Sequence, residues 1–355
     1  MIDFVLNPVI CEDMEEIFQR TEKWCDLRNT SILITGAYGM LASYLTGYLI
    51  WLNEVKNWNI TIIAAVRSEN KARERFGEAV DRDYFHIYSD SIQAPLKLDT
   101  TVDYIVHAAG IANPKTYGVS PVDVAEANAL GTYYLLKWAV DHPIKGFLLF
   151  STGDVYGKVD RADNILEDTV GYVNHLDIHN CYGESKRMAE TWCMCFHRQY
   201  GIRTMMARIA HTFSPFVDVK NDPRVFASFV NCAIQGRDID ILSDGTAKRP
   251  FCYITDALVG YLLILVKGEA EGAYNVSNTD GYYSIAELAQ IIANLAEPKV
   301  GVNIHGRRTD GYLENKDNHK NLLIGEKLKG LGWEHNITAE EGFRRVIKYI
   351  KSKEM

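Results

Sequence analysis

The stretch SILITGAYGMLASYLTGYLIWL, residues 31–52, joins a short apolar run to a long amphipathic one through a turn that contains two glycines. The apolar run, SILITGA (31–37), has the length and composition of a buried strand. Gly36 permits the tight turn, Gly39 lets the backbone approach a pyrophosphate, and Ala42 is small enough for helix and strand to pack closely. Since the N-terminus of the following helix also favours negative charge, the stretch predicts a dinucleotide-binding site. The expected contacts are Gly36, Tyr38, Gly39 and Met40.

The same rhythm continues along the chain, because short apolar runs alternate with helical patterns. Further strands are expected at ITIIAAV (60–66), YFHIYS (84–89), YIVHAAG (104–110), FLLFST (147–152) and TMMARIA (204–210). This alternation predicts an α/β fold with a Rossmann-like, doubly wound parallel sheet that is covered by helices on both faces. After Ser214 the rhythm breaks, and the later segments are expected to build a smaller, interleaved C-terminal lobe.

We expect the chain to divide into three regions. Residues 1–30 form a helical N-terminal extension, which serves packing or oligomer contacts. Residues 31–212, together with about 236–280, form the NAD(P)-binding Rossmann domain. Residues 213–235 and 281–355 form the substrate-binding lobe.

The composition argues against several classes of protein. The chain has 355 residues, of which 47% are hydrophobic, and a net charge of -8 without a dense Lys/Arg stripe, so a large core is expected and a nucleic-acid partner is not. Its seven cysteines are scattered without a C-x-x-C pair, which favours neither disulfides nor a metal site and suits a reducing cytoplasm. No apolar run reaches the roughly 18 residues needed to cross a bilayer, and the acidic N-terminus does not resemble a signal peptide. No membrane contact is expected.

The end of the second predicted strand bears on the choice of dinucleotide. An acidic residue normally stands there and contacts the adenosine ribose of NAD. This chain instead has AAVRSENKARERF, with Arg67 at the strand end and Lys71 and Arg73 close behind. A guanidinium suits the 2'-phosphate of NADP, whereas the alternative is that these are solvated charges at the start of a helix. The expected cofactor is therefore NAD or NADP, with Arg67 slightly favouring NADP.

A second motif, HNCYGESKRMAETWC (179–193), places Tyr182 and Lys186 one helical turn apart. A nearby ammonium group stabilises a phenolate and lowers the pKa of the tyrosine, which makes the tyrosine a usable base. The spacing alone is not specific, since three other pairs share it, namely Tyr133/Lys137, Tyr312/Lys316 and Tyr349/Lys353.

The predicted fifth strand distinguishes the first pair from the others. It ends in FSTGDVYG (150–157), and the reactive groups of a doubly wound sheet collect at the carboxyl ends of its strands. Thr152 and Asp154 are therefore expected to meet the helix that carries Tyr182. Thr152 can hydrogen-bond a substrate hydroxyl that is being oxidised, and Lys186 can also reach a nicotinamide ribose. The expected catalytic residues are Thr152, Asp154, Tyr182 and Lys186.

Eight segments carry a resemblance to a known family: TGAYGML, DYIVHAAG, NALGTYYLL, STGDVYG, YGESK, ARIAHTFSP, RPFCYITD and LGWEHNITAEEGF. In this order, from residue 31 almost to the end of the chain, they resemble the extended short-chain dehydrogenase/reductases of the nucleotide-sugar epimerase, dehydratase and decarboxylase group. The segments CYGESKRMAETWC, ARIAHTFSP with PRVFASFV, and GRRTD are similar to UDP-glucuronate decarboxylases.

The resemblance implies a redox-neutral reaction on a nucleotide-diphosphate sugar. Tyr182 would deprotonate the sugar 4-hydroxyl, the nicotinamide would take hydride from C4, and the keto sugar would react before hydride returns. In a uronic acid this keto group is β to the carboxylate, so carbon dioxide leaves easily. Further cofactor contacts are implied at His107, Ala108, Ala109, Asn128 and Ser151, and substrate contacts at Asn113, His211, Arg224, Arg249 and Arg308. A homodimer through the helices at 121–141 and 182–199 is also implied.

Several residues depart from the family pattern and keep alternatives open. The 4,6-dehydratases carry an Asp-Glu pair after the threonine, and decarboxylases usually have Ser-Glu, whereas this chain has Gly153 and Asp154. His211 stands where the family commonly has Asn, so it either contacts the sugar or is a buried structural histidine. The alternative for Arg249 and Arg308 is that each forms an ion pair at the protein surface instead of contacting the substrate. The other functions considered are a dehydratase that uses Asp154 alone, an NADPH-dependent keto-sugar reductase, and a catalytically silent NAD(P)-binding protein.

Overall fold

The computed structural model describes residues 3–159, 164–306 and 322–354. Its helices are Asp3–Leu6 (α1), Pro8–Thr21 (α2), Met40–Lys56 (α3), Glu69–Phe76 (α4), Pro114–Tyr117 (α5), Pro121–Ala125 (α6), Gly131–Asp141 (α7), Cys181–Tyr200 (α8), Val225–Ile234 (α9), Ile254–Lys267 (α10), Ile285–Leu295 (α11), Glu326–Gly330 (α12) and Ala339–Glu354 (α13). Its strands are Ser31–Thr35 (β1), Thr61–Ala65 (β2), Phe85–Tyr88 (β3), Tyr104–His107 (β4), Gly146–Thr152 (β5), Asn164–Ile165 (β6), Thr204–Ile209 (β7), His211–Phe213 (β8), Ile239–Ile241 (β9), Lys248–Tyr253 (β10), Gly272–Val276 (β11), Tyr282–Ser284 (β12), Val302–Ile304 (β13) and Leu322–Leu323 (β14). Within these three ranges, no helix combines the length and the apolar character that crossing a bilayer would require.

Seven strands form one sheet in the order β11-β7-β5-β4-β1-β2-β3, and every neighbouring pair in it is parallel. The chain runs outward from β1 to β3, returns across the sheet to β4, and continues outward to β11. This reversal confirms the predicted Rossmann-like, doubly wound sheet. It also opens a crevice at the carboxyl ends of β1 and β4, where ligands of such sheets bind.

Helices cover both faces of the sheet, because successive strand residues point to opposite sides. Ile32 and Ile34 of β1 belong to the same buried cluster as residues of α3 and α10. Leu33, between them, belongs to a second cluster with residues of α7 and α8. All five residues of β1 are buried, as expected for the centre of a sheet that is covered on both sides.

Three smaller sheets lie outside the large one. β10 pairs with β8 and β12, β9 pairs with β13, and β6 pairs with β14. The sequence pattern places residues 239–241 and 248–253 in the Rossmann domain, but these strands pair in the smaller sheets. The same stretch then returns to the large sheet through α10 and β11. The two regions are thus more finely interleaved than the sequence indicated, because strand partners depend on distant residues.

The N-terminal helix α2 packs into the body of the chain, against α10 and α13. The carboxylate of its buried Asp13 accepts hydrogen bonds from the hydroxyl groups of Tyr44 and Tyr253 and a 2.6 Å bond from the guanidinium of Arg345. These partners come from α3, β10 and α13. Residues 8–21 therefore serve intramolecular packing, the first of the two uses expected of the extension.

Candidate active site

Gly36 forms the turn after β1, at the point where the strand order reverses. Its φ is +64°, and a Cβ there would lie 2.8 Å from the Cα of Ala109, just beyond β4, so only glycine fits. Gly39 precedes α3 without a side-chain cap, so no cap side chain competes with an anion for the N–H groups of the first turn. The loop therefore fits a dinucleotide pyrophosphate. Four predicted cofactor residues are half-buried around it, namely Tyr38, Met40, Ala108 and Ala109.

Replacing Gly36 by alanine should destabilise the fold more than the same change at Gly201. Both glycines have left-handed φ values, +64° and +73°, which cost a residue with a Cβ about 1–2 kcal/mol. A Cβ at Gly201 meets open space, whereas a Cβ at Gly36 meets the backbone of Ala109. In urea denaturation we expect Gly36→Ala to lower the free energy of unfolding by about 1–3 kcal/mol more than Gly201→Ala. Equal losses would contradict the close approach.

The His107 imidazole belongs to the interior of the sheet and not to the crevice. It is fully buried, its Nδ1 shares a 2.7 Å hydrogen bond with the hydroxyl of Thr35, and its ring contacts Phe147. Burial lowers the pKa of His107 well below its ordinary value, and Lys186 lowers it further, so the ring is neutral. The expected cofactor contact of His107 is therefore limited to its backbone, because this strand residue points inward.

Asn128 and Lys186 meet beside Gly110, behind the crevice. Asn128 lies in the π-helical turn Glu126–Leu130, is fully buried, and donates from Nδ2 to the Oγ of Ser185 at 3.0 Å. Its Oδ1 has no hydrogen-bond partner among the described residues. A Cβ on Gly110 would lie 2.7 Å from this oxygen and 3.3 Å from the Nζ of Lys186. π-Helical turns occur frequently at functional sites, and an unpaired buried acceptor is uncommon in a folded protein.

Tyr182 and Lys186 lie on the buried face of α8, against the end of β5. Only 9% of Tyr182 and 3% of Lys186 is exposed. The Nζ of Lys186 donates to the carbonyl oxygen of Phe150 at 2.8 Å, and the side chain of Thr152 lies beside the hydroxyl of Tyr182. The structure thus brings together three of the four residues that the sequence pattern predicts to be catalytic, and their catalytic role stays a prediction.

The electrostatics of this pair differ from the expectation. Burial raises the pKa of Tyr182, the nearby Asp154 raises it further, and the hydrogen bond with Thr152 lowers it in part. Burial also lowers the pKa of Lys186 to about 8, and the charge of Glu190 opposes this shift. The sequence pattern predicts that the ammonium group of Lys186 lowers the pKa of the Tyr182 phenol. In the protein alone burial dominates, because a phenolate that loses its water is destabilised.

Glu190, which the sequence motifs do not single out, anchors the end of β5. It follows Lys186 by one helical turn and accepts a 2.6 Å hydrogen bond from the hydroxyl of Ser151. The guanidinium of Arg208, on β7, pairs with the same carboxylate at 3.0 and 2.8 Å. The hydroxyl proton of Ser151 is therefore directed to Glu190. The four-residue spacing from Lys186 was the sequence signal that could have identified Glu190.

The turn Gly153–Tyr156 holds Asp154 against the start of α8. Gly183, next to Tyr182, approaches this turn so closely that a Cβ would lie 3.2 Å from the carbonyl oxygen of Asp154. Solvent enters the crevice and reaches the Asp154 side chain, but protein atoms surround its carboxyl group on most sides. This burial raises the pKa of Asp154, and Arg249 lowers it in part.

Gly153 packs against the buried side chain of Leu323 in β14. A Cβ at position 153 would lie 3.2 Å from one methyl group of Leu323 and 3.4 Å from the other. An acid at this position, as in the dehydratase pair, would press its side chain against an apolar group that cannot hydrogen-bond it. The packing therefore disfavours the dehydratase arrangement.

His211, Arg224 and Arg249 line one cavity of about 240 Å³ in the smaller lobe. Although solvent enters the cavity, the surrounding protein lowers the pKa of His211 to about 4, and Arg249 and Arg224 contribute to the shift, so the ring is neutral at pH 7. Arg224 is paired with Asp222, and its Nη2 lies 3.1 Å from the sulfur of Met40. The cavity thus adjoins the glycine loop, and its two guanidinium groups suit a diphosphate.

The other predicted site residues lie at the edges of this region or outside the described residues. Arg67 is exposed just beyond β2, whereas the nearby Arg73 is paired with Asp81 at 2.8 Å. Asn113 caps α5, where its Oδ1 accepts a 3.0 Å hydrogen bond from the backbone of Lys115. Arg308 lies outside the described residues.

Two of the other Tyr/Lys pairs have different surroundings. The ring of Tyr133 packs against Trp192 and Phe196 between α7 and α8. The ring of Tyr349 packs against Phe216. The third pair, Tyr312/Lys316, lies outside the described residues.

Comparison with known proteins adds sequence and structural relatives. The chain matches a model of the NAD dependent epimerase/dehydratase family over residues 32–277. It is 30% identical to UDP-glucuronic acid decarboxylase 6 of Arabidopsis thaliana over 314 residues, which cover 88% of this chain and 87% of that protein. The structure matches UDP-glucose 4-epimerase of Thermotoga maritima with UDP-glucose (TM-score 0.77, 22% identity, 92% and 100% coverage). It also matches UDP-glucuronic acid 4-epimerase of Bacillus cereus in complex with UDP-glucuronic acid and NAD (TM-score 0.75, 20% identity, 91% and 100% coverage). At these identities the two structures show the fold alone.

Proposed function

The chain belongs to the NAD-dependent epimerase/dehydratase family, and from this premise we propose that it modifies a nucleotide-diphosphate sugar by transient oxidation at C4. The reaction is redox-neutral overall and ends in decarboxylation or epimerisation. A UDP-linked uronic acid is the favoured substrate, since the relative at 30% identity is a UDP-glucuronic acid decarboxylase.

The observation that carries this proposal is the meeting of Thr152, Tyr182 and Lys186 at the carboxyl end of β5. NAD(P), when bound, would supply the hydride acceptor and donor. Tyr182 would accept the proton of the sugar hydroxyl, and Thr152 would orient that hydroxyl. Lys186 keeps most of its positive charge at neutral pH, since its pKa is about 8. This charge would stabilise the phenolate form of Tyr182, which accepts the proton.

Asp154 supports an outcome other than dehydration. Its pKa is raised by burial, which suits a group that returns a proton to the sugar after bond cleavage. A β-keto carboxylate loses carbon dioxide without a second acid, whereas dehydration by a carboxylate pair would need one at Gly153. We therefore favour the decarboxylase or epimerase outcome.

The nucleotide sugar would bind across the two regions of the fold. The large parallel sheet would hold the coenzyme at Gly36 and Gly39. The cavity of His211, Arg224 and Arg249 would hold the diphosphate of the sugar nucleotide, because two guanidinium groups offer several N–H donors to its oxygens. A neutral His211 would add a hydrogen bond without a further charge.

Product analysis tests this function. The purified protein is incubated with UDP-, dTDP-, GDP- and CDP-sugars, including UDP-glucuronate, and with NAD or NADP, and the products are identified by mass spectrometry and NMR. We expect loss of carbon dioxide or inversion at C4 with no net change in absorbance at 340 nm. A stable 4-keto-6-deoxy sugar, or stoichiometric consumption of NADPH, would contradict the proposal.

Replacing Arg67 by aspartate should reverse the coenzyme preference. If its exposed guanidinium binds the 2'-phosphate, we expect the affinity for NADP to fall by about 10–100-fold, which corresponds to about 1.4–2.8 kcal/mol. The affinity for NAD should stay constant or rise, because aspartate can accept from the ribose hydroxyls. Titration calorimetry measures both. Arg73→Ala, which removes an arginine already paired with Asp81, is the control. Unchanged affinity for NADP in Arg67→Asp would contradict the predicted contact between Arg67 and the 2'-phosphate.

We also propose that the protein is a homodimer. Val122, Leu130 and Met188 are 65%, 42% and 38% exposed on the segments that the resemblance assigns to the interface. Light scattering should give twice the chain mass. Val122→Glu with Met188→Glu should raise the dimer dissociation constant at least about 10-fold, since each charge would lose its water in the interface. Leu242 is 47% exposed and lies outside these segments, so Leu242→Glu should leave the dimer dissociation constant unchanged. A monomer at all concentrations would contradict the proposal.

A further inference from the structure

Tyr117, the last residue of α5, lies against the ring of Tyr182. Nothing in the sequence pattern selected it. Only 8% of Tyr117 is exposed, and it forms a small buried cluster with Val124 and Tyr182, on which the half-buried Ile111 and Cys181 pack. This cluster is separate from the two large clusters that flank the sheet, so it is built around the tyrosine of the active site.

The two phenol rings form a parallel stack. Their centroids are 5.4 Å apart and their planes differ by 9°. Rings in this offset arrangement attract each other beyond the burial of their surfaces. The stack holds α5 against α8, and the side chain of Asn113 caps the start of α5, so Tyr117 has a defined position. The ring of Tyr182 is thereby covered on one face.

We propose that Tyr117 is a positioning residue for Tyr182. Its ring keeps the phenol of Tyr182 directed toward Thr152 and keeps water from the covered face. This inference rests on the proposed role of Tyr182 as the base. A base must lie within hydrogen-bond reach of the proton that it accepts, and a misplacement of about 1 Å can reduce the rate by about 100-fold.

The groups around Tyr182 define what loss of the stack should do. Asp154 and Thr152 face it from the end of β5, Lys186 follows it on α8, and Tyr117 faces it from α5. Burial is the largest cause of the raised pKa of Tyr182, and the ring of Tyr117 supplies part of that burial. The pKa of Tyr117 is raised as well, by burial and then by Tyr182 and Asp154, so it stays protonated and does not compete for the proton.

Two substitutions separate the ring from the hydroxyl. Tyr117→Phe keeps the stack and removes the hydroxyl, whereas Tyr117→Ala removes both. For each we would measure kcat and KM with the nucleotide sugar that is turned over, and the pH dependence of kcat. In parallel, difluorotyrosine placed at position 182 reports the pKa of that phenol through fluorine NMR, without any sugar. Thermal unfolding identifies variants that do not fold.

We expect Tyr117→Phe to keep kcat within about 3-fold, and Tyr117→Ala to lose about 10–100-fold in kcat with KM changed less than about 3-fold. In Tyr117→Ala the pKa of the phenol at 182 should fall by about one unit, because water reaches it. An unchanged pKa and kcat, or a loss in Tyr117→Phe equal to that in Tyr117→Ala, would overturn the inference. If no nucleotide sugar is turned over, the proposed function fails, and the fluorine titration of the folded variants still decides whether Tyr117 covers Tyr182.

Discussion

Tyr182→Phe should reduce turnover of the nucleotide sugar by about 100- to 10,000-fold, the range that a positioned general base contributes. The substitution removes the hydroxyl that lies beside Thr152 and leaves the ring in place against Tyr117. The cluster around the ring should therefore stay packed. The affinity for the coenzyme should change little, since Lys186 and the Gly36 turn are retained.

Tyr133→Phe is the matched control for this experiment. Tyr133 has the same spacing to a lysine, but its ring packs against Trp192 and Phe196 between two helices. We expect turnover within about 2-fold of the unmodified protein, because Tyr133→Phe keeps the packed ring and removes only a hydroxyl outside the candidate site. Steady-state rates and a coenzyme titration measure both variants. Full turnover in Tyr182→Phe would remove it as the base.

Asp13→Ala should lower the free energy of unfolding at pH 7 by about 3–5 kcal/mol, the range observed when one partner of a buried ionic group is removed. Asp13 is fully buried and accepts from Tyr44, Tyr253 and Arg345. After this substitution Arg345 still has Glu16 as an ion-pair partner, 2.9 Å away in the native chain. The hydroxyl groups of the two tyrosines, however, lose Asp13 as their acceptor. An unpaired buried donor costs about 1–3 kcal/mol, and a cavity adds to this. Urea denaturation measures the loss.

Arg344→Ala provides the comparison on the same helix. Arg344 is about half exposed and pairs with Glu340 and Glu341 in adjacent turns of α13. Exposed pairs of this kind contribute up to about 1 kcal/mol, so the loss should be small. A loss below about 1 kcal/mol in Asp13→Ala would show that this buried carboxylate contributes little to the stability of the fold.

The same carboxylate should make stability depend on pH. Burial raises the pKa of Asp13 from 3.8 to about 6, and its hydrogen-bond donors oppose this in part. The folded state then holds the proton more firmly than the unfolded state, so the contribution of this group is most favourable below pH 4 and falls as the pH rises through about 6. Asp13→Asn should remove this part of the pH dependence, and comparing its unfolding with that of the native chain between pH 4 and pH 7 measures it.

The candidate site was only partly foreseeable. Tyr182 and Lys186 could be selected because a helical turn relates them, and Thr152 because it ends an apolar strand. The surroundings that set their pKa values could not be foreseen. Lys186 donates to the carbonyl of Phe150, and Tyr182 is covered by Tyr117, so burial outweighs the expected effect of the ammonium.

Local pattern was sufficient for most strands of the large sheet and for the glycine turn after β1. The apolar runs specify strands that are buried on both faces, and Gly36 specifies a left-handed turn, since both properties depend on a few neighbouring residues. Only the tertiary structure shows three other contacts. The ring of Tyr117 stacks on Tyr182, Leu323 packs against Gly153, and Arg345 pairs with Asp13, 332 positions away in the chain. Such contacts join residues that no sequence period relates, and their energies depend on how much water the surrounding protein excludes.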